Sequence, residues 1–195
     1  EAVHTGVDAA TSDVLVFLNS DVQPADDFLV SLVTALAGED VFAVTPLVLN
    51  EDGTANKVSW TRRRFNRGRL RTVSWRLEEA IPGPRNTLFA SGGSMAVRKS
   101  AFLELGGFSA LYKPFYSEDL DLCVQAWRRG LRVLLEPRSH VVHQEKGSIS
   151  SNVSRTHVKR AQHRNSLIFE WSHLSAARLL FCRCPYYLKR LVGRT

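Results

Sequence analysis

The chain has 195 residues, of which 44% are hydrophobic, a composition that excludes an intrinsically disordered protein and suits one domain, or one and a half, with a substantial core. Its 26 Lys plus Arg against 19 Asp plus Glu give a net charge of +7, which favours an anionic partner such as a nucleotide diphosphate, a phospholipid surface or nucleic acid, without choosing among them. No apolar run reaches the ~20 residues needed to span a bilayer, and no signal-like core opens the chain, so a soluble or peripheral protein is expected.

In chain order, the residues through Thr11 are expected to end a helix and connect it onward. Val14-Leu15-Val16-Phe17-Leu18 is a short continuous apolar run, which predicts a strand buried on both faces in a parallel or mixed sheet. Asn19-Ser20-Asp21 follows at its carboxyl end, where ligands bind in open α/β sheets. Pro24, Asp26 and Asp27 open a helix with the apolar stripe Phe28, Leu29, Leu32, Val33 and Leu36, stopped by Gly38. A second strand is expected over Val41 to Leu49, with Pro46 marking a bulge or an edge position.

From Asn50 to Arg85 the pattern degrades into polar and basic sequence. The run Thr61 to Arg71 reads as a solvated loop or charged helix face, with a binding patch as the alternative. Trp60, Phe65 and Trp75 keep a membrane-surface or nucleic-acid role open, and Ile81-Pro82-Gly83-Pro84 closes the insertion with turn residues. Regularity returns with Leu88 to Val97, where Gly92 and Gly93 mean a bulge, a close approach of the backbone to a ligand, or a plain turn. Ser100 to Leu105 is a short helix stopped by Gly106-Gly107.

The most informative stretch is Tyr116-Ser117-Glu118-Asp119-Leu120-Asp121-Leu122-Cys123. Its carboxylates crowd the start of a segment whose apolar residues Leu122, Cys123, Ala126 and Trp127 recur at helical spacing, and Arg128 and Arg129 precede the stop at Gly130. Acids in the first turn and bases in the last describe a well-capped helix. The aromatic lead-in Tyr112 to Tyr116 should present the same carboxylates at the mouth of a cleft. Arg132 to Glu136 reads as a strand, and Val141-Val142 lies between His140 and His143. From about Ser154 the chain is helical and basic, with a tail, Pro185 to Arg190, that mixes aromatics with bases and suits either a packed helix or a membrane interface. Cys182 and Cys184 stand too close for an ordinary bridge, which points to a reducing compartment.

Taken in order, Phe17 to Asp21, Gly92 to Arg98, Gly106-Gly107-Phe108, Glu118 to Leu122, Gly130 to Val133, Pro137 with His143, and Arg164-Asn165 resemble glycosyltransferase family 2 over roughly residues 5 to 170, and within it the bacterial rhamnosyltransferase-like enzymes. The resemblance implies an α/β, GT-A-like fold. Its sheet would be mixed and mostly parallel, flanked by helices and lacking the first βα units of a chain truncated at its amino terminus. Residues 1–150 would be the partial transferase domain and 151–195 a basic helical extension.

The function it implies is inverting sugar transfer from a nucleotide-diphosphate donor to a hydroxyl of a saccharide or lipid-linked acceptor, in cell-surface polysaccharide or glycolipid synthesis. By resemblance, Asp119 is the base that deprotonates the acceptor, and Glu118 orients acceptor or base. Asp21 matches the last position of the family's Asp-x-Asp motif and would hold a divalent cation, Mn²⁺ or Mg²⁺; Asn19 stands where the first Asp would be. His143 matches a histidine placed near the diphosphate, and a satisfied core histidine is the alternative. Gly92 and Gly93 would lie against donor sugar or acceptor. Arg164 and Asn165 would approach the diphosphate or tie the last helix to the sheet, and Asp121 would face solvent or bind an arginine. The expected location is cytoplasmic, or peripheral on the inner face of the membrane, with no nucleic-acid partner. A non-catalytic binding module at membranes or acidic polymers is the competing function. A nucleotidyltransferase is disfavoured because no Gly-rich phosphate loop opens the chain.

Overall fold

The structure is a computed structural model that describes residues 2–66, 69–74, 82–144, 153–185 and 187–188. Helix α1 (Ala2–Ala9) leads to β1 (Val14–Val16), and after a turn the chain forms β2 (Val22–Pro24). Helix α2 (Phe28–Leu36) starts where the acids predict it and buries Phe28, Leu32 and Leu36, while Leu29 and Val33 of the expected stripe stay exposed. β3 (Val41–Leu49) is apolar apart from Thr45 and buried from Val41 to Pro46. A hairpin of β4 (Thr61–Asn66) and β5 (Arg69–Ser74) is followed by the short strands β6 (Arg85–Asn86) and β7 (Ala96–Arg98). Then come α3 (Lys99–Glu104), a 3₁₀ turn (Ala110–Tyr112), α4 (Glu118–Arg128) and the long strand β8 (Arg132–His143). The described chain ends with α5 (Arg155–His173), α6 (Ala176–Arg178) and a π turn (Leu179–Arg183).

The strand order is β1-β7-β3-β8-β2, with β6 paired to β8 as well. The sheet is mixed, as expected, but not mostly parallel: β3 and β8 run parallel, and β1/β7, β3/β7, β2/β8 and β6/β8 are antiparallel. Apolar runs report that both faces of a strand are covered and are silent on direction, which the connections decide. Pro46 sits at a register break in central β3, where Pro46 faces Glu136 and Leu47 already faces His140. Of the two positions open to that proline, the bulge is the one found. β1 is less enclosed than its sequence suggests, since Val16 is 39% and Leu18 44% exposed.

Helices cover the two faces of the sheet. On one, Phe42, Met95 and Val97 pack with Phe102 of α3 and with Leu122, Cys123 and Ala126 of α4. On the other, Phe28, Leu32 and Leu36 of α2 pack on Val44, Val48 and Val141. Fully burying one such side chain stabilises the fold by ~1.5–3 kcal/mol. A third cluster, Leu70, Tyr112, Val124, Phe169 and Leu174, joins the hairpin and α5 to the outer side of α4.

The basic insertion is a correction. Where a loop or charged helix face was expected, Thr61 pairs with Ser74 and Asn66 with Arg69 in an antiparallel hairpin. Arginines on both faces of β4 hide the period-two alternation that would announce a strand. Arg67, Gly68, Trp75, Ile81, Tyr186, Lys189 and Arg190, singled out from the sequence, lie outside the described residues. No helix among the described residues is long and apolar enough to cross a membrane.

Candidate active site

Backbone turns from distant parts of the chain meet at one end of the sheet. Between β1 and β2 the Val22 N–H donates to the Asn19 carbonyl at 3.1 Å, closing the Asn19-Ser20-Asp21 turn, and the Asn19 N–H donates to the Gly93 carbonyl at 2.9 Å. Gly92 and Gly93 sit in a second turn, closed by the Ser94 N–H on the Ser91 carbonyl at 3.0 Å. Both glycines are also close approaches. A Cβ on Gly93 would stand 2.9 Å from Asn19 Nδ2, and one on Gly92 would stand 3.4 Å from the Asp119 Cβ. Of the bulge, ligand approach and plain turn that the sequence left open, the glycines lie in a turn, with Asn19 and Asp119 as near neighbours. At the third meeting point the Gln144 N–H donates to the Asp21 carbonyl at 2.9 Å, and β2/β8 pairing sets Val22 opposite His143.

Asp21 and His143, separated by most of the chain, are thereby brought together with Asp21 Oδ2 3.9 Å from His143 Nε2. The other oxygen, Asp21 Oδ1, is buried with no hydrogen-bond partner. An orphaned carboxylate oxygen beside an imidazole nitrogen suits a divalent cation whose remaining ligands come from elsewhere, such as diphosphate oxygens and water. Among the described residues no group of three or more His, Cys, Asp or Glu gathers to hold a metal by itself.

The base position lies at the first turn of α4. The Gly92 N–H donates to Asp119 Oδ2 at 3.0 Å, and the Leu120 N–H donates to Oδ1 at 2.8 Å. Burial pushes the Asp119 carboxyl above the usual carboxylate range, against these hydrogen bonds. Glu118 is raised too, by burial first and then by the charge of Asp119, and its Oε2 is buried without a hydrogen-bond partner. Tyr116 (φ 75°) and Ser117 (φ 80°), immediately before the helix, both occupy the left-handed region, at a cost of ~1–3 kcal/mol each for side-chain-bearing residues. Asp119, Gly92, Gly93, Asn19, Asp21 and His143 therefore form one continuous line of contacts.

Arg164 is not on that line. Its guanidinium donates to the Leu111 carbonyl at 2.9 Å, to the Lys113 carbonyl and to Asn165 Oδ1 at 3.0 Å, so it ties α5 to the loop before α4. Asn165 contributes more to the site than the sequence indicates. Its Nδ2 lies 2.7 Å from the Tyr112 carbonyl and 2.8 Å from those of Phe115 and Tyr116, the residues that lead into Glu118. Asp121 is a further correction: neither facing solvent nor bound to arginine, it is buried between the Tyr112 hydroxyl, Gln125 and His173.

The sequence model of the family described as Glycosyltransferase like family 2 matches residues 1–162. Polypeptide N-acetylgalactosaminyltransferase 8 of Drosophila melanogaster is 29% identical over 144 residues, 71% of this chain and 24% of that protein. Rhamnosyltransferase WbbL of Escherichia coli K12 is 27% identical over 161 residues, 77% of this chain and 60% of that protein. The chain thus spans from about a quarter to somewhat over half of these relatives' length. Its fold is similar to the crystal structure of GalNAc-T7 with UDP, GalNAc and Mn²⁺, at TM-score 0.58 and 20% identity over 75% of this chain and 30% of that one. With the family matched from residue 1 to 162 and the fold of the GT-A kind, the chain belongs to glycosyltransferase family 2 and is similar to its rhamnosyltransferases.

Proposed function

We propose that this chain carries the metal and acceptor side of an inverting glycosyltransferase, which moves a sugar from a nucleotide-diphosphate donor to a hydroxyl of a saccharide or lipid-linked acceptor. The observation that carries this reading is the unbroken line from Asp119 through Gly92, Gly93 and Asn19 to Asp21 and His143. It couples a buried carboxylate of raised pKa to a carboxylate–imidazole pair, the two kinds of group that transfer from a diphosphate requires.

Asp119 accepts the proton of the acceptor hydroxyl as that oxygen attacks the anomeric carbon. Burial raises its pKa above the usual carboxylate range, which makes its ionised form a stronger base than that of an exposed aspartate. The Gly92 N–H holds Oδ2 and so fixes which way the carboxylate points. Glu118, next to it, orients the acceptor. Asp21 and His143 would hold the divalent cation, Mn²⁺ or Mg²⁺, and Asn19 packs on Gly93 where the donor sugar would lie. Bound there, the cation supplies compensation for the negative charge on the departing diphosphate. Arg164 and Asn165 act through the loop they hold, as positioning residues.

Cell-surface polysaccharide or glycolipid synthesis, and a cytoplasmic or peripheral membrane location, are part of the same proposal. Exposed Trp171, Leu180, Phe181 and Leu188, in a basic carboxyl-terminal segment, support contact with a membrane surface. A panel of nucleotide sugars with Mn²⁺ or Mg²⁺, read by nuclear magnetic resonance of the product's anomeric configuration, tests the reaction and its stereochemistry together. Transfer with inversion is expected. Product of retained configuration would overturn the role given to Asp119.

A further inference from the structure

Among the described residues, four arginines are held by carboxylates. Arg129 pairs with Glu104, Arg132 with Asp40, Arg138 with Glu136 and Arg183 with Glu170. Arg63, Arg128 and Arg178 make no ion pair with any carboxylate among the described residues, although they come from β4, the end of α4 and α6 and converge on one place. Arg128 donates to the carbonyls of Ser172 and His173, which brings it beside the start of α6. Arg178 lies over the Phe65 ring, 5.4 Å from its centroid, on the same strand as Arg63. Burial first, then the charges of Arg128 and Arg178, push Arg63 below its usual value.

Beside them opens a cavity of about 370 Å³, lined by Arg62, Arg63 and Arg128 with Thr61, Leu88 and Trp127. Its size is that of a small-ligand site. None of its lining residues belongs to the line from Asp119 to His143. Arg128 follows Asp119 by nine positions on α4, which at 1.5 Å per residue puts the two ends ~13 Å apart.

Convergent cations repel one another, and no carboxylate is among the described residues that line the cavity, so an anion there stabilises the native arrangement. Guanidinium forks on several sides match an oxygen-rich anion that accepts along several directions, and phosphoryl groups meet that description better than a lone carboxylate. Trp127 and Leu88 offer an apolar ledge for whatever carries the anion. We propose that the cavity between β4, β6 and the carboxyl end of α4 is a second anion site, which binds the phosphoryl or diphosphoryl group of a phosphate ester through Arg63 and Arg128, with the charge of Arg178 beside them outside the lining. The ester is either a free phosphoanion or a lipid headgroup. The site stands apart from donor chemistry, so it holds whether or not the transfer reaction is as proposed above.

Titration calorimetry with pyrophosphate in EDTA, where no cation bridges it to Asp21, tests the free form. Parent and Asp21→Asn should bind alike; Arg63→Gln should bind about tenfold or more weakly, the loss of one charge-assisted pair, and Arg178→Gln more weakly than the parent, the loss of a neighbouring positive charge. Flotation with phosphatidylcholine vesicles, with and without phosphatidate, tests the headgroup. Recovery that needs phosphatidate and falls in both arginine variants identifies a lipid. Either result supports the site and names its source. If the parent binds neither probe, or if Arg63→Gln and Arg178→Gln match the parent with both, the proposal is overturned.

Discussion

His173 Nε2 stands 2.6 Å from Asp121 Oδ1 in a place where both side chains are nearly inaccessible, and there the carboxyl-terminal helix α5 grips the helix that carries Asp119. Tyr112 adds its hydroxyl to the same oxygen at 2.8 Å, and Gln125 Nε2 donates to the other at 2.8 Å. The carboxylate thus joins α4, α5 and the loop between α3 and α4.

Breaking this junction from one side should be costly. His173→Ala leaves a buried carboxylate short of a partner, which typically destabilises by ~3–5 kcal/mol. Chemical denaturation should show that loss, and a change under ~1 kcal/mol would mean that Tyr112 and Gln125 suffice.

The same junction sets a pH dependence. Burial alone would raise the Asp121 carboxyl, but its hydrogen bonds from His173, Tyr112 and Gln125 outweigh burial and hold it below the usual range. A depressed folded pKa gives stability that is present above the unfolded value of ~3.9 and lost as pH falls through the folded one. The parent should therefore lose stability more steeply than Asp121→Asn below about pH 4. Parallel acid denaturation curves would remove Asp121 from the account.

Asp119 has the opposite sign. Its folded pKa is raised, so its contribution falls as pH climbs from the unfolded value of ~3.9 through the folded one, and the ionised form is a net cost at neutral pH. Asp119→Asn, which keeps an oxygen for the Gly92 N–H, should match or exceed the parent in stability at pH 7 while transfer drops by ~10²–10⁴-fold. Full turnover by this variant would exclude Asp119 as the base.

Asp21→Ala and His143→Ala should each weaken Mn²⁺ binding, because each removes one of the two protein groups proposed to hold the cation. Calorimetry with Mn²⁺ alone reads this directly. Variants that bind Mn²⁺ as the parent does would leave the pair as a structural contact.

Gly93→Ala should separate activity from stability. The new methyl meets the end of the Asn19 side chain, which can swing away, so the fold should lose about 1 kcal/mol or less, the low end for overpacking. Asn19 would then be displaced from the turn next to Asp21. Sugar transfer should fall well before the denaturation midpoint does, and equal transfer by the variant would show that the position of Asn19 is immaterial.

Much of the site was legible because its members interrupt regular patterns. Asn19-Ser20-Asp21 ends an apolar run, Gly92-Gly93 breaks a strand, and Glu118-Asp119 opens a helix, all features visible within a few residues. Asp121 was misread for the converse reason. Its partners Tyr112 and His173 lie 9 and 52 residues away, so nothing near it in the sequence announces burial. Strand direction was similarly hidden, since β3 pairs antiparallel with β7 on one edge and parallel with β8 on the other, and its side chains, which point to the faces of the sheet, report neither. The hairpin β4/β5 escaped because Arg62, Arg63 and Arg64 present the same residue to both faces.

Asn165 carries a consequence for how the entrance to the site can move. An amide nitrogen has two hydrogens, yet Nδ2 of Asn165 is within 2.8 Å of the carbonyls of Tyr112, Phe115 and Tyr116, so one nitrogen divides its donors among more acceptors than it can fully satisfy. Residues 112–116 cannot release these contacts one by one at leisure, because a shift of that single atom perturbs all of them together. Loss of the Asn165 amide should therefore loosen the whole segment leading to Glu118 and Asp119 at once, and not one residue of it.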